Sequence, residues 1–157
     1  MEKSFQFKQQ VLPEWVDYNG HMNDAEYARV FSEATDAFMA YIGLNQQTIT
    51  KLGYTIFTLE THICYLKEAH DGEQLTIESQ LLDVDEKRIH QFFTMKNVEG
   101  EQVATMEQML MGIDQSSGRP GPFPKPIETI IQLIYQAEMK FDSPKQAGRQ
   151  IGIQRKK

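Results

Sequence analysis

Glu14-Trp-Val-Asp-Tyr-Asn-Gly-His-Met-Asn-Asp24, running straight into Ala25-Glu-Tyr-Ala-Arg-Val-Phe-Ser-Glu-Ala-Thr-Asp-Ala-Phe-Met-Ala-Tyr-Ile-Gly-Leu44, is the stretch whose reading decides the fold. Its first half is polar and contains a glycine, which marks a loop. Its second half has no Gly or Pro before residue 43. Asn23 or Asp24 can cap a helix here, and Glu26 stands three residues after Asn23, as in a capping box. The spacing predicts a helix over residues 24–42 that stops at Gly43, a good residue for leaving a helix. Tyr27, Phe31, Ala34, Phe38, Tyr41 and Ile42 recur at intervals of three and four and form one apolar stripe. With Ala25, Ala28 and Ala37 close by, such a helix suits a position lying flat against a sheet.

The sheet is written on both sides of that helix. Phe5 to Val11 reads as a short strand, closed by Pro13, which has no N–H to give to a ladder. Downstream, Tyr54–Leu66 alternates. Phe57, Leu59, Ile63 and Tyr65 are expected on one face, with Ile56, Glu60, His62 and Cys64 on the other. Asp71-Gly72 turns the chain into Gln74–Asp83, where Leu75, Ile77 and Leu81 alternate with polar residues. Asp83-Val-Asp-Glu turns again into Arg88–Val98, Glu99-Gly100 closes the next hairpin, and Gln102–Asp114 is the last strand. A breaker-rich linker over residues 116–126 leads to a helical pattern over Ile127–Phe141. A helix segregated from an antiparallel meander predicts an α+β fold with one curved sheet. Residues 1–141 are expected to form a single domain, and residues 142–157 a polar tail that frays towards Arg155-Lys156-Lys157.

Composition narrows the function. With 157 residues, one domain with a substantial core is expected. Sixteen Lys+Arg against twenty-two Asp+Glu leave a net charge of −6, which argues against nucleic acid as a partner. The single cysteine, Cys64, rules out an intrachain disulfide and any Cys-x-x-Cys site. No run of eighteen apolar residues predicts a membrane span, and the first residues lack the apolar core of a signal peptide, so the expected location is the cytoplasm. His21, His62, His70 and His90 show no metal-ligand spacing, and no metal is expected. Gly-x-Gly-x-x-Gly, P-loop and Gly-x-Ser-x-Gly motifs are absent.

Reactive side chains are densest over residues 17–24. A carboxylate beside a glycine turn, next to a helix N-terminus, is a workable arrangement for hydrolysis. Unpaired N–H groups and the positive end of the helix dipole hold a developing oxyanion. The carboxylate activates water or attacks the carbonyl carbon itself. The same residues equally allow a purely structural reading, in which Asp17 and Asn19 make side-chain turns and Asn23 only caps the helix. Glu60 and His62, predicted on one strand face, form a second candidate cluster. A glutamate within an apolar strand is costly unless paired or put to use.

The stretch from Val11 to Leu44 resembles the opening of hot-dog-fold thioesterases of the 4-hydroxybenzoyl-CoA thioesterase-like family. The matching features are the short first strand, Asp17 with Gly20 three residues on, Tyr27, and the long helix ending in Gly43-Leu44. Thr58-Leu-Glu-Thr-His-Ile-Cys-Tyr-Leu66 resembles the family's second strand and Ala104–Asp114 its last, so the likeness covers about residues 5–114. It implies a long central helix wrapped by a curved antiparallel sheet, and an acyl-CoA substrate with no separate cofactor, since coenzyme A is part of the substrate. It also implies a homodimer, or a dimer of dimers, with shared sites. Asp17 takes the place of the catalytic carboxylate, and the N–H near Asp24 that of the oxyanion donor. His21 and Asn23 would orient the thioester or water, with His21 a competing base, and Glu60 would assist from the partner strand. Glu14 to Asp24 taken with Thr58 to His62 resembles, more narrowly, the thioesterases of carnitine breakdown that act on betainyl-CoA. There Glu60 would attract a trimethylammonium group, and Trp15 and Tyr18 would add cation–π contacts. Asn19, Gly20 and His62 complete the implied acyl site. Lys87, Arg88 and His90, with Arg119 and Lys125, are the candidates for the CoA phosphates, expected at one mouth of the cleft. Two rival readings share the fold: a hydroxyacyl-thioester dehydratase that pairs His21 with Glu60, and an acyl-CoA-binding module without turnover.

Overall fold

A computed structural model describes residues 5–157; the first four residues, and with them part of the signal-peptide reading, lie outside the described residues. Helix α1 spans Asp24–Tyr41, with Asn23 as its N-cap. The Asn23 side chain accepts the Ala25 N–H at 3.0 Å. Glu26 does not reach back to complete a capping box; its carboxylate takes Arg29 Nε at 2.6 Å. At the other end Gly43 adopts φ 106° and lets Leu44 N–H return to Met39 O at 2.8 Å. The buried face is Tyr27, Val30, Phe31, Ala34, Thr35, Phe38 and Met39, broader than the expected stripe. Tyr41 leaves it and is half exposed, its ring edging Phe5 and Phe38.

After α1 comes α2, Gln46–Leu52, which the sequence reading passed over. Asn45 and Thr48 form a reciprocal capping box there, and Gly53 ends the helix in the left-handed region. The strands follow as β1 (Gln6–Gln10), β2 (Tyr54–Tyr65), β3 (Gln74–Val84), β4 (Arg88–Lys96), β5 (Gln102–Asp114) and a two-residue β6 (Arg119–Pro120). The curled antiparallel sheet has the order β1-β3-β4-β5-β2, with β6 paired to β5. A last helix, α3, runs over Lys125–Glu138 and starts two residues earlier than its pattern suggested.

The core lies between α1 and the concave face of the sheet, where Phe31 stacks on Phe93 of β4. A chain of buried polar groups crosses this interface. Gln108 Nε2 donates to Thr35 Oγ1 of α1 at 3.0 Å and also reaches Gln91 Oε1 at 2.8 Å. Gln91 Nε2 in turn donates to Ser79 Oγ at 2.9 Å. These residues therefore sit under the helix rather than in solvent. Each is satisfied by its neighbour, which is what makes burying amides here tolerable.

Strand β2 departs from strict alternation. Its register with β5 slips between Thr58 and Glu60, so Leu59 is an extra residue on the β2 side. A bulge inverts the face of everything beyond it. Ile56 and Thr58 are thus joined on the concave side by Thr61, Ile63 and Tyr65, whereas Phe57, Glu60, His62 and Cys64 face outwards. The expected grouping of Phe57 and Leu59 with Ile63 and Tyr65, and of Ile56 with Glu60, is corrected by this single insertion. A second bulge, between Leu81 and Asp83, is capped from α3. The buried Glu138 carboxylate accepts Leu81 N–H at 3.0 Å. Glu138→Ala is expected to cost about 1–3 kcal/mol, since a buried donor loses an acceptor. Glu138→Gln, which keeps an oxygen in place, should cost less. The two urea midpoints give the comparison, and equal losses would show that the oxygen is not what matters.

The first part of the tail is tied to the sheet. Gln80 Nε2 donates to Asp142 O at 3.2 Å, and Gly148 N–H donates to Glu107 Oε1 at 2.7 Å. Residues 149–152 then lie along the sheet, beside His62 and Cys64 of β2 and Leu66 just after it. Among the described residues no helix is long and apolar enough to cross a membrane.

Candidate active site

The loop before α1 is a tight hairpin. Gly20 N–H closes a turn on Asp17 O at 2.9 Å, and Gly20 takes φ 79°, where glycine is at ease. Asp17 N–H bonds His21 O at 2.9 Å, and Val16 bridges Met22. Asp17 Oδ1 accepts from Asn19 N–H at 2.8 Å and from His21 N–H at 3.2 Å. The side-chain turn foreseen as the structural alternative is therefore real, yet it occupies one oxygen. Oδ2 makes no hydrogen bond among the described residues, and the side chain is solvent-accessible. A carboxylate held by one oxygen and open at the other is positioned to act as a base or a nucleophile.

The loop is stapled to residues 66–70. Met22 N–H bonds Ala69 O at 2.8 Å, His21 and His70 form an antiparallel bridge, and Asn23 N–H bonds Trp15 O at 2.9 Å. The buried Tyr27 hydroxyl accepts Ala69 N–H at 3.0 Å. Burial pushes this hydroxyl above its ordinary range, against the pull of the Ala69 N–H. From the other side, Tyr65 of β2 donates its hydroxyl to Asp24 O at 3.1 Å and sets its ring edge-on to Tyr27. Burial, with the Asp24 charge behind it, raises the Tyr65 hydroxyl as well. Tyr65 thus braces the helix start, a role the sequence reading did not assign. Only knowledge of the β2 bulge would have turned it inwards.

The individual assignments fare differently. Asp24 is the first helical residue; its N–H has no hydrogen-bond partner among the described residues and its carboxylate does not cap. That N–H, at the positive end of the α1 dipole, is open to a negatively charged oxygen. Asn23 caps the helix, its Oδ1 accepting the Ala25 N–H. Trp15 is corrected as a ligand for a cation, since its ring is buried in the core cluster. Tyr18, by contrast, is 97% exposed at the tip of the loop. His21 sits with Nε2 3.1 Å from Glu68 Oε2, so its carboxylate partner is Glu68 rather than Glu60. The dehydratase pair is not assembled within the chain.

Glu60 and His62 lie on the outer face, as the bulge requires, and share a cavity of about 290 Å³ with His90, Glu107 and Arg149. His90 Nε2 is 2.6 Å from Glu107 Oε2, and Glu107 Oε1 holds the tail at Gly148. Arg88 is less free than expected. Its Nε and Nη2 both reach Asp85 Oδ2, at 2.7 and 2.6 Å, and this pairing holds the guanidinium still more firmly protonated. The adjoining cavity, about 220 Å³, is lined by Asp83 and Asp85 as well as Arg88 and His90. Lys125 is drawn to Glu128 at 3.7 Å. Arg88 and Lys125 are thus each paired with a carboxylate. Arg149, from the tail, is the cation with no ion pair among the described residues that faces the larger cavity, and no motif in the sequence marked it.

A third cavity, about 260 Å³, opens between α1 and β2 on the concave side; Ser32, Asp36, Thr58, Thr61 and Gln108 line it. The outer edge of β2 has no strand beside it among the described residues, and Phe57 and Leu59 are exposed along it. An open edge with apolar side chains is a surface for strand pairing.

Residues 11–131 match the Thioesterase-like superfamily, which is most of the chain. The chain belongs to that superfamily, and it is a thioester hydrolase with the hot-dog fold. Among its relatives, the betainyl-CoA thioesterase of Pseudomonas aeruginosa is 40% identical over 144 residues, 91% of each protein. A bifunctional L-carnitine dehydrogenase/betainyl-CoA thioesterase of Rhizobium meliloti is 39% identical over 90% of this chain, which corresponds to 28% of that longer protein. Among solved structures, a Staphylococcus aureus protein in complex with CoA superposes with a TM-score of 0.92 at 37% identity, over 98% of both chains. A Synechocystis 1,4-dihydroxy-2-naphthoyl-CoA thioesterase, 19% identical with a TM-score of 0.71 over 82% of this chain and 95% of its own, shares the fold.

Proposed function

We propose that the chain hydrolyses an acyl-CoA thioester to the free acid and CoA, and that its preferred acyl group is betainyl. The observation that carries this reading is the 40% identity, over nine-tenths of both proteins, to a betainyl-CoA thioesterase. The loop geometry supports the chemistry. Asp17 Oδ2 takes a proton from water, or attacks the thioester carbon itself, while the Asp24 N–H and the α1 dipole hold the charge that gathers on the carbonyl oxygen. Collapse of the tetrahedral intermediate expels the CoA thiolate, which is protonated on release. Water supplies the hydroxyl of the acid and the proton of the thiol, so no cofactor enters the reaction.

In this reading two chains pair along their β2 edges as a homodimer, or as a dimer of dimers, bringing Glu60 of one towards Asp17 of the other. Glu60 and the exposed Tyr18 ring then receive the trimethylammonium group, and His62 lines the same pocket. CoA thioesters are cytoplasmic metabolites, and the enzyme acts there.

A thiol-release screen across acyl-CoAs tests the assignment. Betainyl-CoA should show the highest kcat/KM, and a neutral acyl-CoA of similar size a lower one. Glu60→Gln should raise KM for betainyl-CoA about tenfold, equivalent to about 1.4 kcal/mol, and leave the neutral thioester unchanged. Equal kcat/KM for charged and neutral thioesters would overturn the acyl assignment. Saturable CoA-ester binding without thiol release would overturn the reaction.

A further inference from the structure

The geometry points to a divalent transition-metal site built from His21, Glu68 and His70, taking a borderline ion of the zinc type. One ligand atom from each of the three side chains lies within 4.8 Å of the other two. The grouping could not be read from spacing, because His21 is far from the other two in sequence. The fold joins them through the His21–His70 antiparallel bridge and the Met22–Ala69 hydrogen bond beside it. The two imidazoles meet edge to face with centroids 5.2 Å apart.

Three features make this more than a pair of surface ion contacts. Glu73 Oε1 stands 2.8 Å from His70 Nδ1 and also accepts the His70 backbone N–H at 2.8 Å. That arrangement fixes the ring and leaves Nε2 as its lone-pair nitrogen, as the carboxylate behind a metal-bound histidine does. Two imidazoles and one carboxylate are also the donor set that zinc, cobalt and nickel prefer over magnesium or calcium. Finally, all three ligand side chains are partly solvent-accessible, so an ion can enter and keep waters at its remaining positions. Ligand bonds of about 2.0–2.2 Å set tetrahedral donors about 3.4 Å apart; His21 Nε2 and Glu68 Oε2 already stand at 3.1 Å, and no donor pair is separated by more than 4.8 Å. The other histidine pair offers no such set, because His90 and the Gly148 N–H already occupy both oxygens of Glu107.

A bound ion would also stiffen the loop that carries Asp17, whose Oδ1 takes the His21 N–H. The site is independent of the acyl group hydrolysed. The test uses the untagged, chelator-stripped full chain titrated with Zn²⁺ by calorimetry, with Mg²⁺ as control and Co²⁺ for its visible spectrum. One Zn²⁺ per chain is expected, with micromolar or tighter affinity, ligand-field bands for Co²⁺, and a melting temperature that rises with added Zn²⁺. His70→Ala and Glu68→Gln should each weaken binding at least tenfold while their metal-free melting temperatures stay at the wild-type value. No saturable Zn²⁺ uptake below the millimolar range would overturn the site. So would undiminished affinity in both variants, which would place the ion elsewhere.

Discussion

Asp17→Asn is expected to lower kcat for the best acyl-CoA by about 10²–10⁴-fold, the range associated with losing a positioned acid–base group. The change is nearly isosteric, and the structure shows why it separates chemistry from folding. The asparagine oxygen can still accept the Asn19 and His21 N–H groups that Asp17 Oδ1 now holds, so the turn survives. What disappears is the open oxygen, replaced by an amide nitrogen that neither takes a proton nor attacks a carbonyl carbon. Thiol release followed with a chromogenic disulfide gives the rate, and thermal unfolding checks the fold. A variant that folds normally and turns over near the wild-type rate would remove Asp17 from the chemistry. If His21→Gln then abolished turnover, the base would be His21, with Glu68 as its partner.

Much of this was legible in the sequence because it rests on local signals. The helix start at Asn23, the stop at Gly43, the four long strands and the Asp17–Gly20 turn each follow from a short motif with a physical cause. What escaped depends on distant partners. One extra residue, Leu59, turned half of β2 over, and nothing in residues 54–66 announces it, since either register places apolar residues on both faces. Gln91 and Gln108 carry no sequence signal of burial, and they are buried because Ser79 and Thr35 satisfy them from other elements. The tail has no periodicity, yet it is held by hydrogen bonds at Gln80 and Glu107. The metal-ligand cluster required the His21–His70 bridge before three residues from two segments could meet. Trp15 illustrates the opposite error. Beside a reactive loop it read as a ligand-facing ring, whereas its size makes burial the better use of it.

Phe31→Ala is the second large effect, and it acts on stability. Phe31 has no accessible surface, and its ring lies 6.2 Å from that of Phe93 with the planes 5° apart. Its neighbours Val30, Ala34 and Thr35 are fixed by the helix, and Gln91 and Gln108 are tied into the polar chain across the sheet, so the surroundings cannot close on the space. A truncation that leaves its cavity open is expected to cost about 3–5 kcal/mol. That is a large share of the 5–15 kcal/mol or so that usually separates folded from unfolded. It would appear as a lower urea midpoint at unchanged slope, and as a fall in melting temperature of roughly 6–20 °C for a chain of this length. Activity should fall with it even where the protein remains folded. Phe31 lies two turns along the helix whose first N–H is the proposed oxyanion donor, and a helix that settles into the vacated space carries Asp24 away from Asp17. A loss below about 1 kcal/mol would mean that the sheet and helix do close over the gap, contrary to the rigidity that the Thr35–Gln108–Gln91–Ser79 chain imposes on this interface.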